Sequence, residues 1–331
     1  MTQRRHDRRL RHEGEVHEEE GTVSTWNRLM VIVWATLAVA LVACGSGGDA
    51  KAPATATAAA KAPAAATAAA TPTATPFPAG SSMATIVQKG KLVIGVKYDV
   101  PLFGLLDPVT KKVDGFDVAI GKEIAKGLGL REDQIEFVEA ITANRIPFLQ
   151  EDKADLVIST MTINADRKTQ IEFSRPYYLA GQSILVKGDN ATIKTVADLN
   201  GKKVCSVQGS TSEKNVVEKA PQVQLTSFTT YSTCVSAMKD GRVEAVTTDD
   251  IILAGFAGVD KTLKLVGGTF TTEPYGIGIK KGKTDLAAFA TGVLNSMMTD
   301  GRWDKLYAQY PGQAPGLAPA AEARAKVPAT P

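Results

Sequence analysis

Residues 91–128 begin with Lys91-Leu-Val-Ile-Gly-Val-Lys97 and end with Asp117-Val-Ala-Ile-Gly-Lys-Glu-Ile-Ala-Lys-Gly-Leu128. The first run is a short uncharged stretch between lysines, the length of a buried strand. In the second, Val118, Ile120, Ile124, Ala125 and Leu128 recur at helical spacing, and Gly129 follows as a stop. Working outward, the same alternation continues. Strands are expected over Gln134–Glu139 and Asp155–Thr160, with a helix over Arg145–Gln150 between them. After a break near Gln182–Gly188 come strand Lys203–Val207, helix Ser212–Ala220, strand Gln224–Phe228 and helix Tyr231–Lys239. Strand Ala245–Thr248, helix Asp250–Phe256, a segment Thr262–Val266, strand Gly276–Lys280 and helices over 284–299 and 301–309 complete the series. Alternating strands and helices with short loops predict an α/β fold with mostly parallel sheets covered on both faces. Two such runs predict two lobes, and ligands in such folds sit beyond the carboxyl ends of strands, in the cleft.

The chain has 331 residues, which suits two domains better than one. Its formal charge of +3 is spread thinly: residues 84–310 hold 28 Lys/Arg against 27 Asp/Glu. So neutral a body offers no field for nucleic acid, and none is expected as a partner. Three cysteines and three histidines are too few for a zinc ribbon or a His-rich site, and no metal or cofactor is expected.

The ends read differently from the centre. Residues 29–43, LMVIVWATLAVALVA, are uncharged, flanked by Arg28 and closed by Cys44. The run is short for a membrane span, which needs about 20 residues, and has the form of a secretory h-region. Leu41-Val42-Ala43-Cys44 is similar to the lipobox of bacterial lipoproteins. That likeness implies cleavage of a signal segment, residues 1–43, and an acylated Cys44 holding the protein to a membrane. The six Arg and six Asp/Glu of residues 1–28 are unusual for a signal n-region and fit a true start near Val23 or Met30, or a discarded lead. Residues 44–82 carry an Ala/Thr/Pro tether; from Ala52 to Ala79 only Lys61 and Phe77 are of another type. Such a segment has too little apolar bulk to offset the entropy of ordering. The Pro/Ala-rich residues 311–331 are expected to be an unstructured tail on the same grounds.

The segments GVKYDVPLFG, GFDVAIGKEIAKGLG, ANRIPFLQ, DLVISTMTINADRK, FSRPYYLAGQSILV, NGKKVCSVQGSTSEKN, GRVEAVTTDD and EPYGIGIKKG resemble those of solute-binding protein family 3. These are the extracytoplasmic amino-acid receptors of ABC importers, and the likeness runs in order from about Ile94 to Tyr310. Within the family they look most like the glutamate/aspartate and glutamine subgroup. The resemblance implies a type II periplasmic-binding-protein fold, two lobes joined by crossover strands near Gly181–Leu185 and Pro274–Gly278. Lobe 1 would then be 83–182 plus 275–310 and lobe 2 would be 183–274. It further implies a monomer that hands its ligand to the transmembrane subunits of a permease.

An amino acid needs a forked cation for its α-carboxylate and a carboxylate for its ammonium. By the resemblance, Arg167 is the carboxylate clamp beside the hydroxyls of Thr160 and Thr162; from the residues alone it reads rather as a surface Arg offsetting Asp166 and Glu172. Ser210 and Glu213 have capping-box spacing, so a helix starts there, and Thr211 would donate to the same α-carboxylate. Asp249 would accept from the ammonium, with neighbouring Asp250 capping the next helix. Lys97 and Arg145 would meet an acidic ligand side chain, with Tyr231 adding a hydroxyl; Lys97 snorkelling to solvent and Arg145 pairing with Glu139 are the bland alternatives. Phe173, Tyr177 and Tyr178 read as packing. Cys205 and Cys234, both in lobe 2, allow a disulfide or two separate buried thiols. The expected function is capture of glutamate or aspartate, with glutamine, asparagine or a broader set of polar amino acids as the alternative. A dehydratase-type enzyme on the same scaffold is the remaining rival, although residues 84–310 contain no histidine.

Overall fold

The computed structural model describes residues 77–330, so Cys44 and most of the expected tether lie outside the described residues. Two five-stranded sheets organise the chain. The first runs Ile135–Glu139, Leu92–Val96, Leu156–Val157, Glu273–Lys280, Ile171–Ala180. Its first three strands are parallel, and Glu273–Lys280 is antiparallel to both neighbours. The second runs Gln224–Phe228, Lys203–Val207, Ala245–Asp249, Gln182–Lys187, Leu263–Val266, again with the last two strands antiparallel. Each sheet is therefore mixed, because the chain enters and leaves it through a strand shared with the crossover. A small antiparallel meander, Asp99–Val100, Gly104–Leu106 and Val113–Asp114, lies beyond the first strand.

The strand Leu92–Val96 is fully apolar except for its glycine because helices cover both faces of its sheet. Gly95 is needed there: a Cβ would come within 2.9 Å of the Ala140 side chain. The helix Phe116–Gly127 buries Phe116, Val118, Ile120 and Ile124, the stripe expected from its spacing. Around it Phe103 and Phe116 meet their aromatic neighbours mostly edge to face, Tyr178 stacks on Tyr275 and Tyr307, Trp303 stacks on Tyr307, and Trp303 Nε1 donates to the Tyr177 carbonyl at 2.8 Å.

The chain passes between the sheets twice. Ala180 ends one sheet and Gln182 begins the other, so the first passage is Gly181 alone; the second is residues 267–272. The first passage is shorter than expected from sequence and the second lies before the expected Pro274–Gly278, because Gln182 pairs at once with Asp249 and Glu273 with Ala180. The passages touch: a Cβ on Gly181 would lie 2.7 Å from the Thr271 carbonyl oxygen. Gln182 N donates to Thr271 Oγ1 at 2.9 Å, and Phe270 N to the Gln182 carbonyl at 2.9 Å.

Two expectations about the ends are corrected. The tether does not extend to Ser82. Phe77 stacks edge-on against Phe289, Ser81 caps a helix over Ser82–Lys89, and Ser82 donates twice to Asp285. Nor is 311–331 a structureless tail. It forms a turn over Pro311–Gln313 and a helix over Ala320–Lys326. Ala314 and Val327 are buried, Tyr307 Oη donates to the Ala318 carbonyl, and Arg175 Nη2 donates to the Pro328 carbonyl. Low-complexity composition hid this, since besides Ala314, Ala320 and Ala323 only Leu317 and Val327 carry the packing. Ending the chain at Gln313 removes both. That change is expected to cost about 2 kcal/mol and lower Tm by roughly 4–8 °C in a thermal melt.

Candidate functional site

The carboxyl ends of the two sheets face each other, and the expected residues converge between them. Asn164 caps the helix Ala165–Gln170 by accepting from Arg167 N at 2.9 Å, which turns the Arg167 side chain inward. Its guanidinium donates to the Thr162 carbonyl at 2.7 Å and, across the lobes, to the Gly209 carbonyl at 3.3 Å. Burial pushes it down to about 9, with the nearby Arg145 cation adding to the effect. A forked cation so short of counter-charge is a site for an anion.

Thr160 sits at φ +45°, a left-handed conformation costing about 1–2 kcal/mol for a non-glycine. It is held there because its N–H donates to Asp117 Oδ2 at 2.9 Å and its carbonyl accepts from Arg145 Nη1 at 2.9 Å. This turn explains why the strand expected over Asp155–Thr160 stops at Val157. Arg145 also donates to the Thr142 and Ser159 carbonyls, at 3.1 and 3.0 Å. Its Nε and Nη1 are therefore engaged by the site wall, and no Glu139 ion pair is present among the described residues. Three carbonyl oxygens take its Nε and Nη1 donors, and its first effect is to fold the site wall.

Lys97 is almost fully buried, donates to Thr142 Oγ1 at 2.5 Å, and lies 5.7 Å from the centre of the Tyr231 ring in the other lobe. Burial pushes its ammonium down to about 7, Arg145 adding to the effect. It does not snorkel. Asp117, which sequence reading treated only as part of a helix, is pushed up to about 7 by burial, against hydrogen bonds from Tyr177 Oη and Thr160 N. The Tyr177 hydroxyl thus serves Asp117 as well as the packing expected of it. The only advance signal for Asp117 is its place in a first turn otherwise made of apolar residues, Phe116, Val118 and Ala119.

The second lobe contributes the helix over Thr211–Lys219. Ser210 Oγ accepts from Glu213 N at 3.0 Å, and Glu213 Oε2 accepts from Gly209 N at 3.0 Å. Gly209 adopts φ +78°, and a Cβ there would lie 3.2 Å from Ala143 Cα of the first lobe. Thr211 does not point freely into the cleft: its hydroxyl donates to Glu273 Oε2 at 2.9 Å. Asp249 closes the site. Tyr275 Oη donates to its Oδ2 at 2.5 Å, while Oδ1 is buried with no hydrogen-bond partner. Burial first and Glu273 second push Asp249 up to about 8. Asp249 stands at the N-cap position, yet the side chain that serves the helix is that of Asp250, whose Oδ1 accepts from Ile251 N and Gly181 N. Ser232 N donates to Asp99 Oδ2 at 3.1 Å, a further contact between lobes. Two cavities of about 570 and 560 Å³ lie against the crossovers, lined by Asp250, Thr269 and Leu317, and include none of Lys97, Arg145, Arg167, Thr211 and Asp249.

Cys205 and Cys234 form a disulfide, with Cα atoms 5.5 Å apart. It ties the strand leading to Gly209 to the helix that starts at Tyr231.

The family model for bacterial extracellular solute-binding proteins, family 3, matches residues 92–313. The chain belongs to this family. Among its relatives, the ABC transporter glutamine-binding protein GlnH of Bacillus subtilis (strain 168) is 43% identical over 230 residues, covering 69% of this chain and 84% of that protein. The glutamate-binding protein GluB of Corynebacterium glutamicum (strain ATCC 13032) is 35% identical over 245 residues, covering 71% and 83%. The solved structure of an ancestral arginine-binding protein bound to glutamine superposes with a TM-score of 0.63 at 40% identity, covering 67% of this chain and 97% of that one. The fold is thus the two-lobed α/β fold of type II periplasmic binding proteins, and the named relatives are transport proteins rather than enzymes. A member of this family is an extracytoplasmic solute-binding protein. The match ends at residue 313, so the packed C-terminal helix lies outside it.

Proposed function

We propose that this solute-binding protein captures an amino acid with a short polar side chain, glutamate or glutamine, between its lobes and delivers it to an ABC importer. One observation carries the reading: the undersupplied Arg167 guanidinium and the unpartnered Asp249 Oδ1 are the opposite charges that an α-carboxylate and an α-ammonium need. Relatives named for glutamine and for glutamate support both ligands. Arg167 stands on the first lobe and Asp249 on the second, so only the closed form meets both ends of the ligand. Closure is then favoured by the ligand's greater affinity for that form. A lipid on Cys44 would hold the receptor at the membrane as a monomer, next to the permease's transmembrane subunits.

Lys97 decides the side chain. A ligand carboxylate beside it would raise its lowered basicity, so glutamate binding takes up a proton above pH 7 and glutamine binding does not. The Asp249 contribution cancels in the ratio, because both ligands carry the same ammonium. Calorimetry on ligand-stripped protein should therefore show the glutamate-to-glutamine affinity ratio falling by about tenfold between pH 6 and pH 8.5. A ratio independent of pH removes Lys97 from side-chain recognition; arginine or lysine as the best ligand overturns the acidic-or-amide reading.

A further inference from the structure

The short strand Asp99–Val100 and the Pro101 that follows it stand on the first lobe, yet they meet two helices of the second. Asp99 Oδ2 accepts from Ser232 N at 3.1 Å, in the first turn of the helix Tyr231–Lys239. That turn carries no acidic side chain of its own. Its N-cap Thr230 takes up only Thr233 N, at 3.4 Å, so the neighbouring N–H and the positive end of the helix are served from across the cleft. A carboxylate there makes a charge-assisted hydrogen bond, about twice as strong as a neutral one.

The second contact is steric. Gly255 lies in the middle of the helix Asp250–Val259, where glycine is less favourable than alanine. A Cβ there would come within 2.8 Å of the Pro101 carbonyl oxygen and 3.3 Å of Pro101 Cβ. Gly258, in the same helix, would meet nothing within 4 Å, so of the two only Gly255 is accounted for by the other lobe. The Pro101 ring fixes its own backbone, and Phe103 N closes the turn onto the Val100 carbonyl at 3.3 Å, so the oxygen has little freedom to withdraw.

We propose that Asp99, Pro101 and Gly255 form a closure latch, a contact between the lobes that sets the balance of open and closed forms whatever the ligand. Rotation about Gly181 and residues 267–272 parts Asp99 from Ser232 and Pro101 from Gly255, so both contacts belong to the closed form. Apparent affinity scales with the population competent to close, so the latch tunes capture of every ligand alike.

The inference rests on capture by lobe closure, and the test separates the two. Wild type, Asp99→Ala, Asp99→Asn and Gly255→Ala are titrated with glutamine by calorimetry, with thermal melts of ligand-free protein as a folding control. Glutamine is the titrant because the Asp99 charge also acts on the Lys97 ammonium. Asp99→Ala should bind about tenfold more weakly, and Asp99→Asn, which keeps an acceptor for Ser232 N, within about threefold of wild type. Gly255→Ala should lose at least tenfold in affinity for glutamine and glutamate equally, while its ligand-free Tm stays level or rises, because alanine favours the helix once the lobes are apart. Weaker binding by a protein no less stable is a readout that damaged packing would not give. In ligand-free protein carrying spin labels at Val109→Cys and Val217→Cys, Asp99→Ala and Gly255→Ala should both shift the distances longer than wild type. Asp99→Ala or Gly255→Ala binding within twofold of wild type, or Asp99→Asn losing as much as Asp99→Ala, would overturn the latch. If wild type binds no amino acid, the functional reading fails, and the label distances alone decide the latch: a shift supports it and unchanged distances overturn it.

Discussion

Arg167→Ala is expected to abolish useful affinity for every amino acid, not to alter preference among them. The guanidinium is a cleft cation whose charge is short of an anion while its fork is fixed by the Thr162 and Gly209 carbonyls. Truncating one partner of a desolvated charge pair costs about 2–5 kcal/mol, on the order of 10²- to 10³-fold in Kd. The unliganded protein should react differently. Arg145 disfavours a second cation nearby, so removing Arg167 relieves repulsion as it deletes two hydrogen bonds, and the ligand-free Tm should change little. Calorimetry paired with a thermal melt checks both halves. A variant that keeps glutamine affinity within threefold would contradict the clamp.

Replacing both half-cystines, Cys205→Ala with Cys234→Ala, should give the largest loss of stability. The bridge closes a loop of 29 residues, worth about 3–4 kcal/mol in the chain-entropy model. For a folded body of this size that is roughly 10 °C in Tm. Affinity should drop only a few-fold, since the bridge anchors the elements that end at Gly209 and begin at Tyr231 without touching the ligand's charges. A Tm within 2 °C of wild type would show that packing of the two elements already holds them.

Much of this architecture was legible. The strands Lys203–Val207 and Gln224–Phe228 and the helices Arg145–Gln150 and Tyr231–Lys239 have the bounds that periodicity predicts. Each is a local pattern of burial on one face, and local patterns survive in sequence. The strand Ile171–Ala180 went unseen because Arg175-Pro176 interrupts it, and its proline is tolerated only at the sheet edge. At the site, residue types were readable and their partners were not. Arg145 reads as a ligand cation, and nothing near it in sequence shows that the backbone turn at Thr160 brings two carbonyls onto it. Thr211 reads as a donor, and nothing near it shows that its hydroxyl meets Glu273, 62 residues later. Such partnerships are made by topology, between residues that nothing in the local sequence connects. The C-terminal helix was missed for the opposite reason: two large apolar side chains and three alanines are enough to dock a segment whose composition suggests none.

The central claim is that an amino acid joins the lobes by bridging Arg167 and Asp249. Spin labels at Val109→Cys and Val217→Cys, both exposed and one on each lobe, report this directly by double electron–electron resonance on ligand-stripped, disulfide-intact protein. Saturating glutamine should collapse a broad distance distribution to a shorter, narrow one, and Arg167→Ala should leave it broad. A distribution unchanged by glutamine, glutamate and every other amino acid tried would contradict the account.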